Sequence, residues 1–355
     1  MRQSLYRIID VNFNRAREAA RVMEEFARFV LNSQPLSARV KALRHRLSSV
    51  IDSLDQTQLI MSRNSRSDVG AGLKVEGQMS RGNVRDVFTA AAKRLPEALR
   101  VLAETIQTIE PQSASEIETL RFEAYSLEKD IFLRLENRLR YSAVRLYVLL
   151  DNTLGGRFEH TAMQCIKGGA DCLQLRCKNI DDGQRYALAQ KLVKMCRDNG
   201  VLSIINDSAD IAIASGADGL HLGQDDMPVD AARNLYPRPL ITGLSTHDPQ
   251  QLREAIELNV DYVGIGPAFT TTTKPGIQVA GMDYVREAVR MLADTGIGHA
   301  VIGGINLGNI AEVIAAGAKT VAVCSAVTSS DDQAQVCRKF KELLTAASDA
   351  EQTHS

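Results

Sequence analysis

Leu202-Ser-Ile-Ile-Asn206-Asp207 and Gly219-Leu-His-Leu222-Gly-Gln-Asp225-Asp226 are two short apolar runs that each open into carboxylates. Ile204 and Ile205 have the character of a buried strand. Asn206 and Asp207 stand where that strand opens into a loop, and the second run brings Asp225 and Asp226 to the same rim. The same grammar extends in both directions from Arg145. Apolar runs at Leu146–Leu150, Cys172–Leu175, Leu202–Ile205, Gly219–Leu222, Leu240–Leu244, Tyr262–Ile265, Ala300–Ile302 and Thr320–Val323 alternate with helix-like stretches. Continuous apolar runs of this length are what strands buried on both faces look like, and eight strand–helix units close a (β/α)8 TIM barrel. Active sites of that fold lie at the C-terminal ends of the strands.

The polar clusters fall at those ends. Asp207 and Asp226 offer hard oxygen ligands, few in number, which describes a Mg²⁺ site shared with a phosphorylated substrate. Alone, such aspartates are more often helix caps. Gln174-Leu-Arg-Cys-Lys178 ends the second run. Period two puts Gln174, Arg176 and Lys178 on the inner face and Leu175 and Cys177 towards the helices. Inward cations are costly unless they meet anions, either a ligand or a structural aspartate. Ser245 follows the fifth run, where it either binds a ligand or caps the helix beginning at Asp248-Pro249. Thr271-Thr-Thr-Lys274, within a loop starting at Gly264-Ile-Gly-Pro, supplies donors for phosphate oxygens. Gly303-Gly304 and Cys324-Ser325 end the seventh and eighth runs, where barrels commonly cradle phosphate on backbone N–H groups. His221, flanked by Leu220 and Leu222, reads as a satisfied core histidine rather than a catalyst.

Residues 1–140 read as an all-α helical bundle preceding the barrel. Helices are expected over Asn12–Leu31, stopped by Pro35; over Ser37–Leu54; over Asn83–Ile109, bent or split at Pro96; and over Ser115–Asn137. Arg15-x-x-Glu18-x-x-Arg21-Val22-x-x-Glu25 recurs as Arg94-x-x-Glu97-x-x-Arg100-Val101-x-x-Glu104. Two copies at helical spacing predict a pair of helices packed through a charged seam, against the alternative of two solvated faces. Arg63, Arg66, Arg81 and Arg85, among Ser and Gly, are candidate phosphate ligands.

Composition bounds the rest. The chain has 355 residues, 45% of them hydrophobic, and a formal net charge of −1. That length suits a domain of roughly 140 residues and one of roughly 200. We divide the chain at 1–140, 141–347 and a polar tail at 348–355. The balanced charge points to no nucleic acid or membrane partner. No membrane span or signal segment is evident, and the six cysteines fit neither a zinc nor a disulfide pattern, so a reducing cytoplasm is expected. A homo-oligomer is compatible with all of this.

Residues 145 to about 345 resemble thiamine-phosphate synthase (thiamine-phosphate pyrophosphorylase). The resemblance rests on Gln174-Leu-Arg-Cys-Lys178, Asn206-Asp207, His221-Leu-Gly-Gln-Asp-Asp226, Gly264-Ile-Gly-Pro and Thr271-Thr-Thr-Lys274, in that order. It implies a transferase of thiamine biosynthesis that joins 4-amino-2-methyl-5-hydroxymethylpyrimidine diphosphate to 4-methyl-5-(2-phosphoethyl)thiazole, releasing pyrophosphate by a dissociative, Mg²⁺-assisted route. It implies that Asp207 and Asp226 hold Mg²⁺, and that Arg176, Lys178 and Lys274 assist departure of diphosphate. Gln174, Leu175, Arg176, Cys177, Lys178, Asn206, Ser245 and Lys274 would bind the pyrimidine diphosphate. Thr271, Thr272, Thr273, Gly304, Cys324 and Ser325 would bind the thiazole phosphate. Cys177, Leu244 and Thr270 depart from the family pattern. A thiazole tautomerase-like barrel and a non-catalytic thiamine-phosphate sensor are the competing readings. The N-terminal region resembles the helical domain associated with hydroxymethylpyrimidine-phosphate kinase activity in some bacteria, through Asn12–Phe29, Asp68-Val-Gly70 and Glu97–Glu104. A docking module is its alternative.

Overall fold

The computed structural model describes residues 2–64, 68–69, 80–236, 239–271 and 278–352. The chain divides into two compact units, Met1–Arg134 and Leu135–Ser355.

The first unit is helical. Its principal helices are α1 (Arg2–Glu25), α2 (Gln34–Asp52), α4 (Val84–Ile106) and the first part of α5 (Pro111–Ser142), with the short α3 (Gln56–Met61) between. α1 continues as a π-helical turn over Phe26–Val30. Pro35 does not stop that helix. It lies in the first turn of α2, where its missing N–H costs nothing, and the chain turns before it at Asn32, with φ 47°. Pro96 neither splits nor ends α4, which runs on past it and buries the ring. The repeat is present in α1 and α4, but its charged seam is not. Arg15, Glu18, Arg21, Glu25, Arg94, Glu97, Arg100 and Glu104 are all exposed. The buried faces are the adjoining small and apolar positions: Ala16, Ala19, Ala20 and Met23 on α1, and Ala91, Ala92, Leu95, Ala98, Leu99 and Leu102 on α4. Arg21 and Arg100 pair along their own helices, with Glu25 at 2.8 Å and Glu104 at 2.5 Å. The protected pairs lie elsewhere. Arg44 Nε donates to buried Glu24 at 2.9 Å, and Arg63 forks onto Asp10 at 2.8 and 2.7 Å.

In the second unit eight parallel strands close a barrel in sequence order. They are β1 (Leu146–Asp151), β2 (Cys172–Arg176), β3 (Leu202–Asn206), β4 (Gly219–Leu222), β5 (Ile241–Thr246), β6 (Tyr262–Ile265), β7 (Gly298–Ile302) and β8 (Val321–Val323). α6 (Phe158–Lys167), α7 (Asp182–Asn199), α8 (Ala209–Ser215), α9 (Val229–Asn234), α10 (Pro249–Glu257), α11 (Gly281–Leu292) and α12 (Ile310–Ala315) are the crossovers. α13 (Ser325–Thr328) and α14 (Gln333–Gln352) follow β8, so helix continues past residue 347.

One device recurs at the barrel floor. Asp171, Asp218 and Asp261 each precede an even-numbered strand and accept the first amides of the strand before it. Asp171 takes Arg145 N and Leu146 N at 2.9 and 3.0 Å, Asp218 takes Ser203 N at 2.9 Å, and Asp261 takes Thr242 N at 2.8 Å. Strand-end N–H groups that would otherwise be orphaned are satisfied, and the register is pinned.

The interior is plugged by aromatic rings. Tyr141, at the end of α5, stacks on Tyr262 with centroids 4.1 Å apart. Gly298 and Gly243 make the room, since a Cβ there would lie 2.5 Å from Tyr141 and 2.1 Å from Tyr262. The last turns of α5 belong with the barrel. Arg138 donates to Asn259, Asn137 donates to Pro239 O at 3.2 Å, and Arg140 meets Asp218 at 2.7 Å.

Two outcomes follow from this packing. Arg44→Ala removes the hydrogen-bonded partner of Glu24, leaving Arg21 at 3.7 Å, and should lower the stability of the helical unit by about 2 kcal/mol, short of the ~3–5 for a fully buried pair because Arg44 is partly exposed and Arg21 remains. Arg21→Ala and Arg100→Ala should leave the denaturant midpoint unchanged. His299, on β7, is held neutral: burial first, then Lys319 and Arg145, push it down from 6.5 to about 4. Its Nε2 accepts from Lys319 N at 3.0 Å. Between those pH values the unfolded chain binds the extra proton, so stability is complete above about 6.5 and is lost as pH falls towards 4. At ~1.4 kcal/mol per unit, reduced for a ring partly open to solvent, about 2 kcal/mol should disappear. Denaturant midpoints against pH should show a shallower acid slope in His299→Gln, and parallel slopes would exclude the residue as the cause.

Candidate active site

The pinned register decides which side chains reach the mouth. Counting in twos along the inner face leads from Cys172 through Gln174 to Arg176, from Ile204 to Asn206, from Gly219 to His221, and from Gly243 to Ser245. All of Gln174, Arg176, Asn206, His221 and Ser245 line one cavity of about 120 Å³ at the C-terminal ends of the strands. Thr271, Gly303, Gly304, Cys324 and Ser325 line its other side, together with His247, Gly264, Gly266 and Pro267. Tyr147 and Tyr262 form its base. Thr272, Thr273 and Lys274 lie outside the described residues.

The Leu175 and Cys177 side chains turn away from the cavity into the layer between strands and helices, so they offer a ligand no side-chain contact. The Cys177 thiol is pushed up to about 11, chiefly by burial and then by Asp151, which makes it a poor nucleophile. Cys172 faces the barrel interior among Tyr147, Leu149 and Tyr262. His221 is satisfied, as expected, yet it lines the cavity. Its Nδ1 is 2.9 Å from Tyr262 Oη and its Nε2 is 2.9 Å from Ser245 Oγ. Period two along Gly219–Leu222 carried that signal. Nothing in the sequence marked Tyr147 and Tyr262 as part of the site.

Ser245 is not a helix cap. Asp248 caps α10 by accepting Gln250 N and Gln251 N at 2.8 and 2.9 Å. At the rim, Asp207 adopts a left-handed conformation with φ 65°, and its N–H bonds His221 O at 2.9 Å. Burial, then the neighbouring Asp226 carboxyl, pushes Asp207 above the ordinary aspartate range, while Lys178 and Arg176 pull the other way. Lys178 Nζ lies 3.6 Å from Asp207 Oδ2, and Asp226 Oδ2 accepts Gly223 N at 2.6 Å. Two crowded carboxylates favour a divalent cation between them. Among the described residues no group of three or more His, Cys, Asp or Glu side chains is placed to hold a metal, so such an ion would take its other ligands from substrate and water.

The profile of the family described as thiamine monophosphate synthase matches residues 146–327. The chain is 37% identical to a thiamine-phosphate synthase of Thermosynechococcus vestitus over 345 residues, spanning 97% of this chain and 96% of that protein. The chain belongs to the thiamine-phosphate synthase family. It is thereby a transferase of thiamine biosynthesis acting on small phosphorylated substrates. A thiamine-phosphate synthase of Rhodopirellula baltica is 34% identical over 349 residues, spanning 96% of this chain and 93% of that protein. The solved thiamine phosphate pyrophosphorylase of Pyrococcus furiosus is 31% identical, with a TM-score of 0.54, and covers 59% of this chain and 98% of its own. Residues 7–130 match the ThiD2 family. Of the N-terminal arginines expected to hold phosphate, Arg63 is engaged by Asp10 and Arg85 stacks over Phe132 at 5.3 Å. Arg66 lies outside the described residues. No helix among the described residues is long and apolar enough to cross a membrane.

Gly304, with φ +65°, faces protein as well as cavity. A Cβ there would lie 2.3 Å from Thr270 O and 2.9 Å from Phe269 Cβ. Gly304→Ala should therefore strain the backbone, costing about 1–3 kcal/mol, and should displace the segment carrying Thr271. The substitution should alter kcat together with the apparent KM for the thiazole phosphate. An unchanged denaturant midpoint with a change confined to KM would show that Gly304 serves only as ligand space.

Proposed function

We propose that the barrel binds 4-amino-2-methyl-5-hydroxymethylpyrimidine diphosphate at the Asp207 rim and 4-methyl-5-(2-phosphoethyl)thiazole against the Gly304 side, and joins them. The carrying observation is the convergence of Arg176, Lys178, Asp207 and Asp226 on one rim, opposite Gly303, Gly304 and Ser325 on the other. Lys178 and Arg176, with Lys274, stabilise negative charge on the departing diphosphate. The bond from the pyrimidine methylene to the bridging oxygen breaks, and its electron pair leaves with diphosphate. The thiazole nitrogen lone pair then forms the new C–N bond. Gln174, Asn206 and Ser245 hold the pyrimidine. Thr271 to Thr273, Gly304, Cys324 and Ser325 hold the thiazole phosphate. The N-cap position of α13 carries no side-chain cap, which leaves its first amides to an oxyanion.

Mg²⁺ fits the pair Asp207 and Asp226, because a divalent charge would offset the burial and the neighbouring carboxyl that raise Asp207. Bound there, it would supply further charge to the diphosphate. The chemistry belongs to residues 141–347 in this reading, and all six cysteines are free, as a reducing cytoplasm allows. For residues 1–140 the ThiD2 match favours phosphorylation of hydroxymethylpyrimidine phosphate. ATP-dependent diphosphate formation by the full chain tests that role.

Asp207→Asn and Asp226→Asn should each lower synthase turnover on the order of 10²–10³-fold, the usual loss when a charge-stabilising contact is removed. Mg²⁺ titration followed calorimetrically should show weakened binding in both. Near-normal turnover in both variants would return the two aspartates to a structural role.

A further inference from the structure

Below the cavity a line of hydrogen bonds crosses the barrel through side chains from five strands. Gln174 Nε2 donates to Tyr147 Oη at 2.7 Å. Tyr147 Oη lies 3.0 Å from Tyr262 Oη, which lies 2.9 Å from His221 Nδ1. His221 Nε2 lies 2.9 Å from Ser245 Oγ. Gln174 is 3%, Tyr147 2% and Tyr262 0% exposed, so solvent does not compete for the bonds among these three, while His221 and Ser245 are half-buried at the cavity wall.

A buried series of this kind has a direction. An amide nitrogen only donates, and a hydroxyl has one proton to give. In the orientation that runs on from Gln174, Tyr147 gives its proton to Tyr262 rather than to Cys172, its other hydrogen-bond neighbour. Tyr262 has then accepted, and its proton goes to His221 Nδ1. A neutral imidazole accepting at Nδ1 carries its proton on Nε2. That proton goes to Ser245 Oγ. Ser245, having accepted, is left with a hydroxyl proton to present to the cavity.

We propose that this series is a polarity relay: Gln174, Tyr147, Tyr262 and His221 are positioning residues that fix Ser245 as a hydrogen-bond donor. The complementary ligand edge is an aromatic ring nitrogen with a free lone pair, which an aminopyrimidine has. A C–H or N–H at that position would leave the hydroxyl proton unmet. This rests on the placement of the pyrimidine beside Ser245 proposed above. Reversing the relay would make Ser245 donate to His221 and leave the ring nitrogen without a partner. An unmet buried group costs roughly 1–3 kcal/mol, a factor of roughly 5–150.

The test has a structural and a kinetic arm, both on the full chain. With ¹⁵N-labelled histidine, long-range ¹H–¹⁵N correlation should show His221 as the neutral Nε2–H tautomer, its signals identified by their loss in His221→Gln. The Nδ1–H tautomer in the unsubstituted protein would overturn the relay. Tyr262→Phe keeps the ring stacked on Tyr141 but removes the hydroxyl. It should shift His221 towards Nδ1–H and lower kcat/KM for the pyrimidine diphosphate about 10–100-fold. In a Ser245→Ala background the same substitution should have almost no effect, because the group it orients is gone. An equal loss in both backgrounds would mean that Tyr262 acts only through packing, and would refute the proposal. Tyr147→Phe breaks the relay one bond earlier and should reproduce the pattern if Tyr262→Phe does not fold. The tautomer is read without substrate. A wild-type protein with no turnover of the pyrimidine diphosphate would therefore count against the proposed function and not against the relay.

Discussion

Everything at the mouth depends on strand register, and register is set at the opposite end. The carboxylates of Asp171, Asp218 and Asp261 take the leading amides of β1, β3 and β5. A slip of one residue in any of these pairs would turn Gln174, Asn206 or Ser245 outward and Leu175, Ile205 or Leu244 into the cavity. The same aspartates are tied outward: Asp171 to Lys341 of α14 at 2.5 Å, and Asp218 to Arg140 of α5 at 2.7 Å. The elements at either end of the barrel segment therefore hold the floor, and the floor holds the site. Short strands make this necessary, since β8 spans only Val321–Val323 and its ladder alone specifies register weakly.

The interior filling follows from the same geometry. Tyr141, Tyr147 and Tyr262 occupy the space that branched aliphatic residues fill in many barrels. Glycines at 243 and 298 admit the rings. Tyrosine fills volume while retaining a hydroxyl, so a closely packed interior carries direct hydrogen bonds from β1 through β6 to β4. Burial pushes all three phenols well above their ordinary range, which keeps them protonated; Tyr147 and Tyr262 carry hydrogen bonds, whereas Tyr141 contributes its stacked ring. Packing and site chemistry are here the same atoms.

Much of this was legible in the sequence, for a physical reason. Strands buried on both faces must be apolar throughout, and their period of two then assigns Gln174, Arg176 and Asn206 inward. His221 obeys the same rule, but its flanking leucines invite a core reading, and only the neighbouring Ser245 and Tyr262 show that it faces the cavity. The helical unit was less legible. Charged and small residues alternate there on adjacent stripes, Arg15 beside Ala16 and Glu18 beside Ala19. A repeated charge pattern and a repeated packing pattern then share one period, and the sequence alone does not say which is buried. Alanine decides it in the structure: Ala16, Ala19, Ala20, Ala91, Ala92 and Ala98 form the buried faces of α1 and α4, leaving the arginines outside. Pro96 does not split α4, because burial among apolar neighbours outweighs one missing ladder bond.

Asp207 shows how rim and interior are joined. Its left-handed backbone is unusual for a residue other than glycine and carries a conformational cost. The conformation is held because its N–H continues the ladder one residue beyond β3, to the carbonyl of His221. His221 thus touches both halves of the site, its backbone fixing the strained carboxylate and its ring bonded to Ser245. Moving its main chain would shift Asp207, whereas changing its ring tautomer would shift only the Ser245 hydroxyl. One β4 residue therefore sets the position of the Asp207 carboxylate and the bonding of the Ser245 hydroxyl, through chemically independent bonds.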